Sequence, residues 1–207
     1  MKQDIYNKIY KKFLLNKNKK FLIIEGVTCS GKTSFAKSLN LFFKKKGVKS
    51  IIISKDLFLK SRKHRINLIK NKKKVFIDQN SGHYDTRTFK KLLNILLNEN
   101  KKRKRINLNN LYNRKSGLNN LKIEINVNSN TFYIIEGLYV LKDIPKRYMP
   151  NIKIFLIHDL YYSLSKKLQR IRDNQISLED VIYEYKNIHL RSFLKYLTKY
   201  KKFDFKF

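Results

Sequence analysis

Gly26-Val27-Thr28-Cys29-Ser30-Gly31-Lys32-Thr33 has the spacing G-x-x-x-x-G-K-[ST], after the apolar run FLIIE and ahead of a helical pattern. Residues of these types in this order hold nucleotide phosphates. Backbone N–H groups of the loop and of the helix N-terminus surround the oxygens. Lys32 then reaches the β and γ phosphates, Thr33 is placed to ligate Mg²⁺, and Ser34 joins the nucleotide-binding set. Only six glycines occur in 207 residues, and Gly26 and Gly31 are two of them, which argues against a chance match. Cys29, the single cysteine, reads as a small loop residue.

A phosphate-binding loop serves motors, switches and kinases alike, so other scarce residues must choose among them. Acids are scarce, 15 Asp+Glu against 48 Lys+Arg. In SKDLF, Asp56 falls just past the end of an apolar run, on the rim where open α/β sheets bind ligands. A carboxylate there can accept a hydrogen bond from a substrate hydroxyl and draw off its proton during phosphoryl transfer. Glu136 ends the run TFYIIE and precedes Gly137, and a carboxylate at that point can hold Mg²⁺ directly or through water. Lys166, Lys167, Arg170 and Arg172 lie on one helical pattern, as a phosphate-clamping lid would require. His64, His83, His158 and His189 share no metal or triad spacing.

These residues need a scaffold, and the patterning supplies one. FLIIE, a helix over Lys32 to Lys46 and VKSIIIS have a βαβ rhythm, and Thr131 to Glu136 and Ile152 to Ile157 read as further strands buried on both faces. A parallel sheet flanked by helices follows. The spacing of Phe89, Leu92, Leu93, Leu96 and Leu97 predicts a helix from Arg87 to Asn98. Two more helices are expected over Asp159 to Arg172 and Ser177 to Lys186, the second opened by the capping pattern SLED. Alternation on either side of NRKSGLNN predicts a hairpin flap over residues 105–128, whereas Lys60 to Gly82 has no clear period and reads as a loop. Ile5, Tyr6, Ile9, Tyr10, Phe13 and Leu14 make residues 1–20 a basic amphipathic helix, either packed beside the first strand or serving a targeting or membrane-surface role.

Length places all of 1–207 in one domain. The charge of +33 is mostly Lys and comes with abundant Asn, Ile, Tyr and Phe, the residues that A+T-rich codons favour. It therefore reads chiefly as solvated lysine faces, and a nucleic-acid partner is the weaker interpretation. One cysteine excludes an internal disulfide and a cysteine-rich zinc site. No apolar run is long enough to span a bilayer and the start lacks a secretory pattern, so a cytoplasmic protein is expected.

With these pieces placed, the chain resembles the uridine kinase-like family of the uridine kinase/phosphoribulokinase superfamily over nearly its whole length. FLIIEGVTCSGKTSFAKSL, IIISKDLF, GHYD, LYNRKSG, YIIEGLYVL, KIFLIHDL, KKLQRIRD and SLEDVIYEY occur in the family's order at comparable intervals. The resemblance implies a three-layer P-loop NTPase fold, with a mainly parallel five-stranded sheet, a β-hairpin flap and a helical lid over residues 166–178. It implies ATP and Mg²⁺ as cofactors, Asp56 as catalytic base and possible metal contact, and Glu136 with Thr33 on the metal. Lys32 and Arg170 would stabilise the transferred charge, and Lys167 and Arg172 would bind ATP from the lid, Arg172 fitting R-x-x-R-D with a one-residue slip. Tyr84-Asp85 and Tyr112 are similar to the family's acceptor-binding residues. The acceptor implied is a small hydroxylated molecule, uridine or cytidine first, with nicotinamide riboside, pantothenate or a sugar phosphate as alternatives. The sequence leaves open whether the protein is a homo-oligomer. A basic nucleic-acid-binding P-loop ATPase is the rival from another class. Asn113 replaces the acid of the family's flap motif, Leu59 stands where uridine-specific members commonly carry an aromatic, and DNQIS lacks the lid's Arg-Gly. The family's last strand is expected to be missing, since the chain stops at Phe207.

Overall fold

The structure, a computed structural model, describes residues 2–15, 21–70, 82–98, 104–127, 130–145, 147–156, 160–169, 177–183, 185–186 and 203–207. Its centre is β1 (Phe21–Gly26), six residues all buried, the apolar run Phe21–Ile24 followed by the buried Glu25 and Gly26. Around it lie β2 (Ser50–Ser54), β5 (Phe132–Glu136), β6 (Ile152–Leu156) and the short β7 (Phe205–Lys206), in the order β2-β5-β1-β6-β7 with every neighbouring pair parallel. A second, two-stranded sheet pairs β3 (Lys104–Leu111) with β4 (Leu121–Val127) antiparallel, which is the expected flap hairpin.

Side chains of β1 alternate between two cores. Phe21 and Ile23 join Ile53, Tyr133 and Ile135 against α4 (Thr86–Leu97) and the hairpin, through Phe89, Leu93, Leu97, Ile106 and Ile125. Leu22 and Ile24 face the other way, against Ala36, Leu39 and Phe43 of α2 (Lys32–Lys45) and Ile9 of α1 (Lys2–Leu14). The sheet is thus sandwiched between two layers. Helix α1 belongs to one of them: Ile9 is fully buried, and Tyr6, Tyr10 and Phe13 pack edge to face or tilted against Phe35, Phe42, Phe43 and Phe132. Of the two readings of this basic helix, packing beside the first strand is the one observed. No helix among the described residues is long and apolar enough to cross a membrane.

Two expectations need correction. The loop expected over Lys60 to Gly82 contains α3 (Arg62–Lys70), and residues 71–81 lie outside the described residues. This helix has no apolar stripe because polar contacts to the flap hold it: Arg62 N donates to Gly117 O at 2.8 Å and Arg62 Nη2 to Arg114 O at 3.2 Å. The strand expected to be missing is present as β7, in register Ile154↔Phe205 with β6. Asp204 fixes it there, accepting from Lys153 N at 2.7 Å and pairing with Lys12 of α1 at 2.6 Å. The C-terminal helices are α6 (Leu160–Gln169) and α7 (Leu178–Tyr183), with α5 (Val140–Asp143) a single turn after β5. Most of the expected lid, residues 170–176, lies outside the described residues.

Phe43 sits at the meeting point of α1, α2 and β5 with no exposed surface. Phe43→Ala is therefore expected to lower the unfolding free energy by about 3–5 kcal/mol, read from urea denaturation. A loss under about 1 kcal/mol would contradict this packing.

Candidate active site

The phosphate-binding loop follows β1 and closes on itself before α2. Gly26 has φ +156°, and a Cβ there would lie 2.5 Å from Leu156 O and 2.7 Å from Ser30 Oγ, so only glycine fits. Cys29, at φ 61°, and Gly31, at φ 80°, take left-handed backbone that turns the chain into α2. Val27 and Ser30 are buried in the loop, Thr28 is half-buried, and Thr33 and Ser34 open the first helical turn with exposed side chains. Lys32 folds back over the loop, Nζ donating to Val27 O at 2.6 Å and Gly26 O at 3.2 Å. Burial pushes its ammonium pKa down, against the opposing pull of Asp56 and Glu136.

Strand register delivers the acids. Pairing of β2 with β5 ends at Ser54↔Glu136, and β1 runs on the other side of β5. Glu136, 1% exposed, takes hydrogen bonds on Oε1 from Ser54 Oγ and from Thr33 Oγ1, the latter at 3.3 Å. Burial raises its carboxyl pKa and the charge of Asp56 adds to that, while Ser54, Lys32 and Thr33 work in the other direction. Asp56 follows in a 3-10 turn over Lys55–Phe58. Its Oδ1 accepts from the Tyr84 hydroxyl at 3.3 Å and its Oδ2 from Arg114 Nη2 at 3.1 Å. Tyr84 is buried, and burial followed by the neighbouring Asp56 charge holds its phenol well above the ordinary range.

The flap and α3 form the remaining wall. Tyr112 N donates to Leu57 O at 2.8 Å, which ties the base of the flap to the Asp56 turn. Tyr112 is buried, its hydroxyl accepts from Arg65 Nη2 at 2.7 Å, and the same guanidinium lies 4.8 Å from the ring centre. Asn113 Oδ1 accepts from Lys115 N at 3.0 Å, so the residue that replaces the expected acid shapes the flap turn. Asp85 is the exposed N-cap of α4, accepting from Thr88 N at 3.1 Å, and with Leu59, Lys60 and Asn119 it lines a cavity of about 320 Å³. The structure thus brings Lys32, Thr33, Asp56, Tyr84, Tyr112 and Glu136 to one edge of the sheet and gives Asp85 a capping bond. The backbone of Lys167 lies in α6, its side chain is not described, and Arg170 and Arg172 lie outside the described residues.

Sequence reasoning passed over Ser54, Arg65 and Arg114. A serine ending a strand one residue before the SKD acid's lysine offered a weak signal for the first. The two arginines had none among 48 basic residues.

The donor set suits Mg²⁺. Thr33, Ser54, Glu136 and Asp56 offer hard oxygen atoms, and the buried Glu136 carboxylate has hydroxyl partners that a cation can replace or share. Among the described residues no group of three or more His, Cys, Asp or Glu could hold an ion alone. That is the usual case for Mg²⁺, which takes one or two carboxylates and shares the substrate's phosphates.

The phosphoribulokinase/uridine kinase family matches residues 21–203. No curated protein matches the chain. Among solved structures, it is similar to a possible uridine kinase from Bacillus stearothermophilus, at 16% identity and a TM-score of 0.71, covering 99% of this chain and 98% of that one. A D-glycerate 3-kinase from Cryptococcus neoformans var. grubii aligns at 14% identity and 0.56 over 98% of this chain and 88% of its own. The phosphoribulokinase from Rhodobacter spheroides aligns at 14% and 0.56, over 85% and 68%. At such identities these likenesses show the shared fold. With the phosphate loop, the parallel sheet and a family match running from β1 to residue 203, just ahead of β7, the chain belongs to the phosphoribulokinase/uridine kinase family and is a P-loop, kinase-like protein.

Proposed function

We propose that the protein transfers the γ-phosphoryl group of ATP to a primary hydroxyl of a small acceptor, with the 5′-OH of uridine or cytidine as the first candidate. The observation that supports this reading is the Ser54↔Glu136 register, which sets Asp56 and Glu136 beside the phosphate loop. Asp56 accepts the hydroxyl's hydrogen bond. As the acceptor oxygen bonds to the γ-phosphorus and the bond to the β–γ bridging oxygen breaks, Asp56 takes the proton and ADP leaves. Lys32 moves from Val27 O to the phosphates, where its buried position makes the charge effective. Thr33 and Glu136, with Asp56 nearby, would hold Mg²⁺, which neutralises charge on the phosphates when bound. Lys167, Arg170 and Arg172 are assigned to the ATP-facing lid, and Tyr84, Asp85 and Tyr112 to the acceptor side.

One observation favours a second acceptor class. Arg114 contacts Asp56 and Arg65 covers Tyr112, so two guanidinium groups stand where an acceptor would approach. Guanidinium pairs with phosphate and carboxylate in a bidentate fork. A phosphorylated sugar would use both groups, whereas a nucleoside must displace Arg114 without replacing its charge.

Purified protein incubated with γ-labelled ATP and a panel of nucleosides, nicotinamide riboside, pantothenate and sugar phosphates tests the activity. Asp56→Asn is expected to lower kcat by about 10²–10⁴-fold while leaving the KM for ATP nearly unchanged. Turnover equal to wild type in that variant, or no transfer to any acceptor, would sink the proposal. Arg114→Gln separates the acceptor classes. For an anionic acceptor it should reduce kcat/KM by about tenfold or more, the effect of one charge-assisted hydrogen bond, and for a nucleoside it should leave kcat/KM equal or raised.

A further inference from the structure

Among the described residues, Lys55 is the one fully buried lysine whose surroundings the phosphate chemistry does not account for. It precedes Asp56 and has no exposed surface. Its ammonium lies 2.7 Å from Asp143 Oδ2 and donates to Leu138 O at 2.8 Å and Tyr139 O at 3.3 Å. It also sits 4.8 Å from the ring centre of Tyr84, whose hydroxyl reaches Asp56. One cation therefore touches the segment after Glu136 and the tyrosine bound to Asp56, and is itself joined to Asp56 by a peptide bond.

The segment it holds has special backbone. Gly137, at φ +151°, takes a conformation that glycine adopts freely, and Tyr139, not a glycine, is strained at φ 55°. A Cβ at Gly137 would lie 2.6 Å from Lys55 Cβ, so the lysine stem packs directly against the residue after Glu136. Strain of this kind persists only where neighbours over-determine it. The two carbonyl contacts of Lys55 flank that backbone. Stability alone is a weak reason to keep such a lysine, because a buried ion pair commonly gains little over well-packed apolar residues.

We propose that Lys55 is a positioning residue that fixes the spacing between Asp56 and Glu136, with Asp143 as the counter-charge that keeps its ammonium in place. The role rests on the reading of Asp56 as base and of Glu136 as a Mg²⁺ ligand. Lys55 tethers the two strand ends to each other through their following turns, so that acceptor hydroxyl and metal-bound phosphate meet at one distance. Loss of the ammonium frees the Gly137–Tyr139 turn and with it the Glu136 carboxylate.

The test uses the double variant Lys55→Met/Asp143→Leu, which removes both charges together and so leaves no buried ion unpaired. Thermal unfolding, kcat with the best acceptor, and affinity for a non-hydrolysable ATP analogue with and without Mg²⁺ are measured for it and for wild type. The expected result is a folded protein whose kcat falls about a hundredfold, as a displacement near 1 Å produces. Its affinity for the analogue without Mg²⁺ should match wild type, while the Mg²⁺-dependent gain should shrink about tenfold. A folded double variant with kcat within about threefold of wild type and the Mg²⁺ gain intact would show a purely structural pair and overturn the proposal. Lys55→Gln/Asp143→Asn is the second variant, uncharged like the first but with a Gln amide that can still donate to the turn carbonyls. It should recover at least about tenfold of the kcat lost in Lys55→Met/Asp143→Leu, and recovery of none would count against the tether. If wild type phosphorylates no acceptor, the kinase reading fails. The Mg²⁺-dependent binding still decides the tether, and its absence in wild type would overturn that too.

Discussion

The pairing of β2 with β5 in the register Ser54↔Glu136 is the constraint on which the site depends. Parallel strands that end together place the residues following them on one rim. Here β2 leads to Asp56 and β5 ends on Glu136, while β1, on the other side of β5, leads into the phosphate loop. A slip of one residue would turn Glu136 to the opposite face and break its bonds to Ser54 and Thr33. The register is secured by apolar side chains on both faces, Ile53, Tyr133 and Ile135 on one and Phe132 and Ile134 on the other. Packing far from the chemistry thus sets the spacing of its carboxylates.

Charge in this rim is under-compensated in a way that a Mg²⁺–nucleotide complex would relieve. Lys32 is held below its ordinary pKa and Glu136 above its own, both chiefly by burial. A phosphate beside Lys32 and a cation beside Glu136 would each favour the charged form. Four further acids among the described residues also have identifiable partners. Glu25, buried, accepts from Leu141 N at 2.6 Å, Asp85 caps α4, Asp143 pairs with Lys55, and Asp204 anchors β7. Scarcity made the acids more informative than the 48 basic residues.

Much of the fold was legible because its signals are local. The strands β1, β5 and β6 are near-continuous apolar runs, α4 has a clean helical stripe, and the phosphate loop is a fixed spacing between a strand and a helix. Asp56 and Glu136 were readable as acids at the ends of such runs. What escaped depends on distant partners. The two residues of β7 carry no periodicity and are a strand only because Asp204 and Phe207 bond to β6. Helix α3 is held by polar contacts to the flap, so no apolar pattern announces it. Lys55, Arg65 and Arg114 look like every other cation in the chain until the fold surrounds one with carbonyls and sets the other two against Tyr112 and Asp56.

On the proposed reading, the γ-phosphate meets the acceptor at this rim. A crystal structure with Mg²⁺ and a non-hydrolysable ATP analogue tests it most directly. The result predicted is an analogue whose terminal phosphate lies between Lys32 and Asp56, with Lys32 Nζ moved off Val27 O and the metal bound by Thr33 and Glu136. A triphosphate seated elsewhere, or held with its terminal phosphate turned away from Asp56 and Glu136 unengaged, would contradict it.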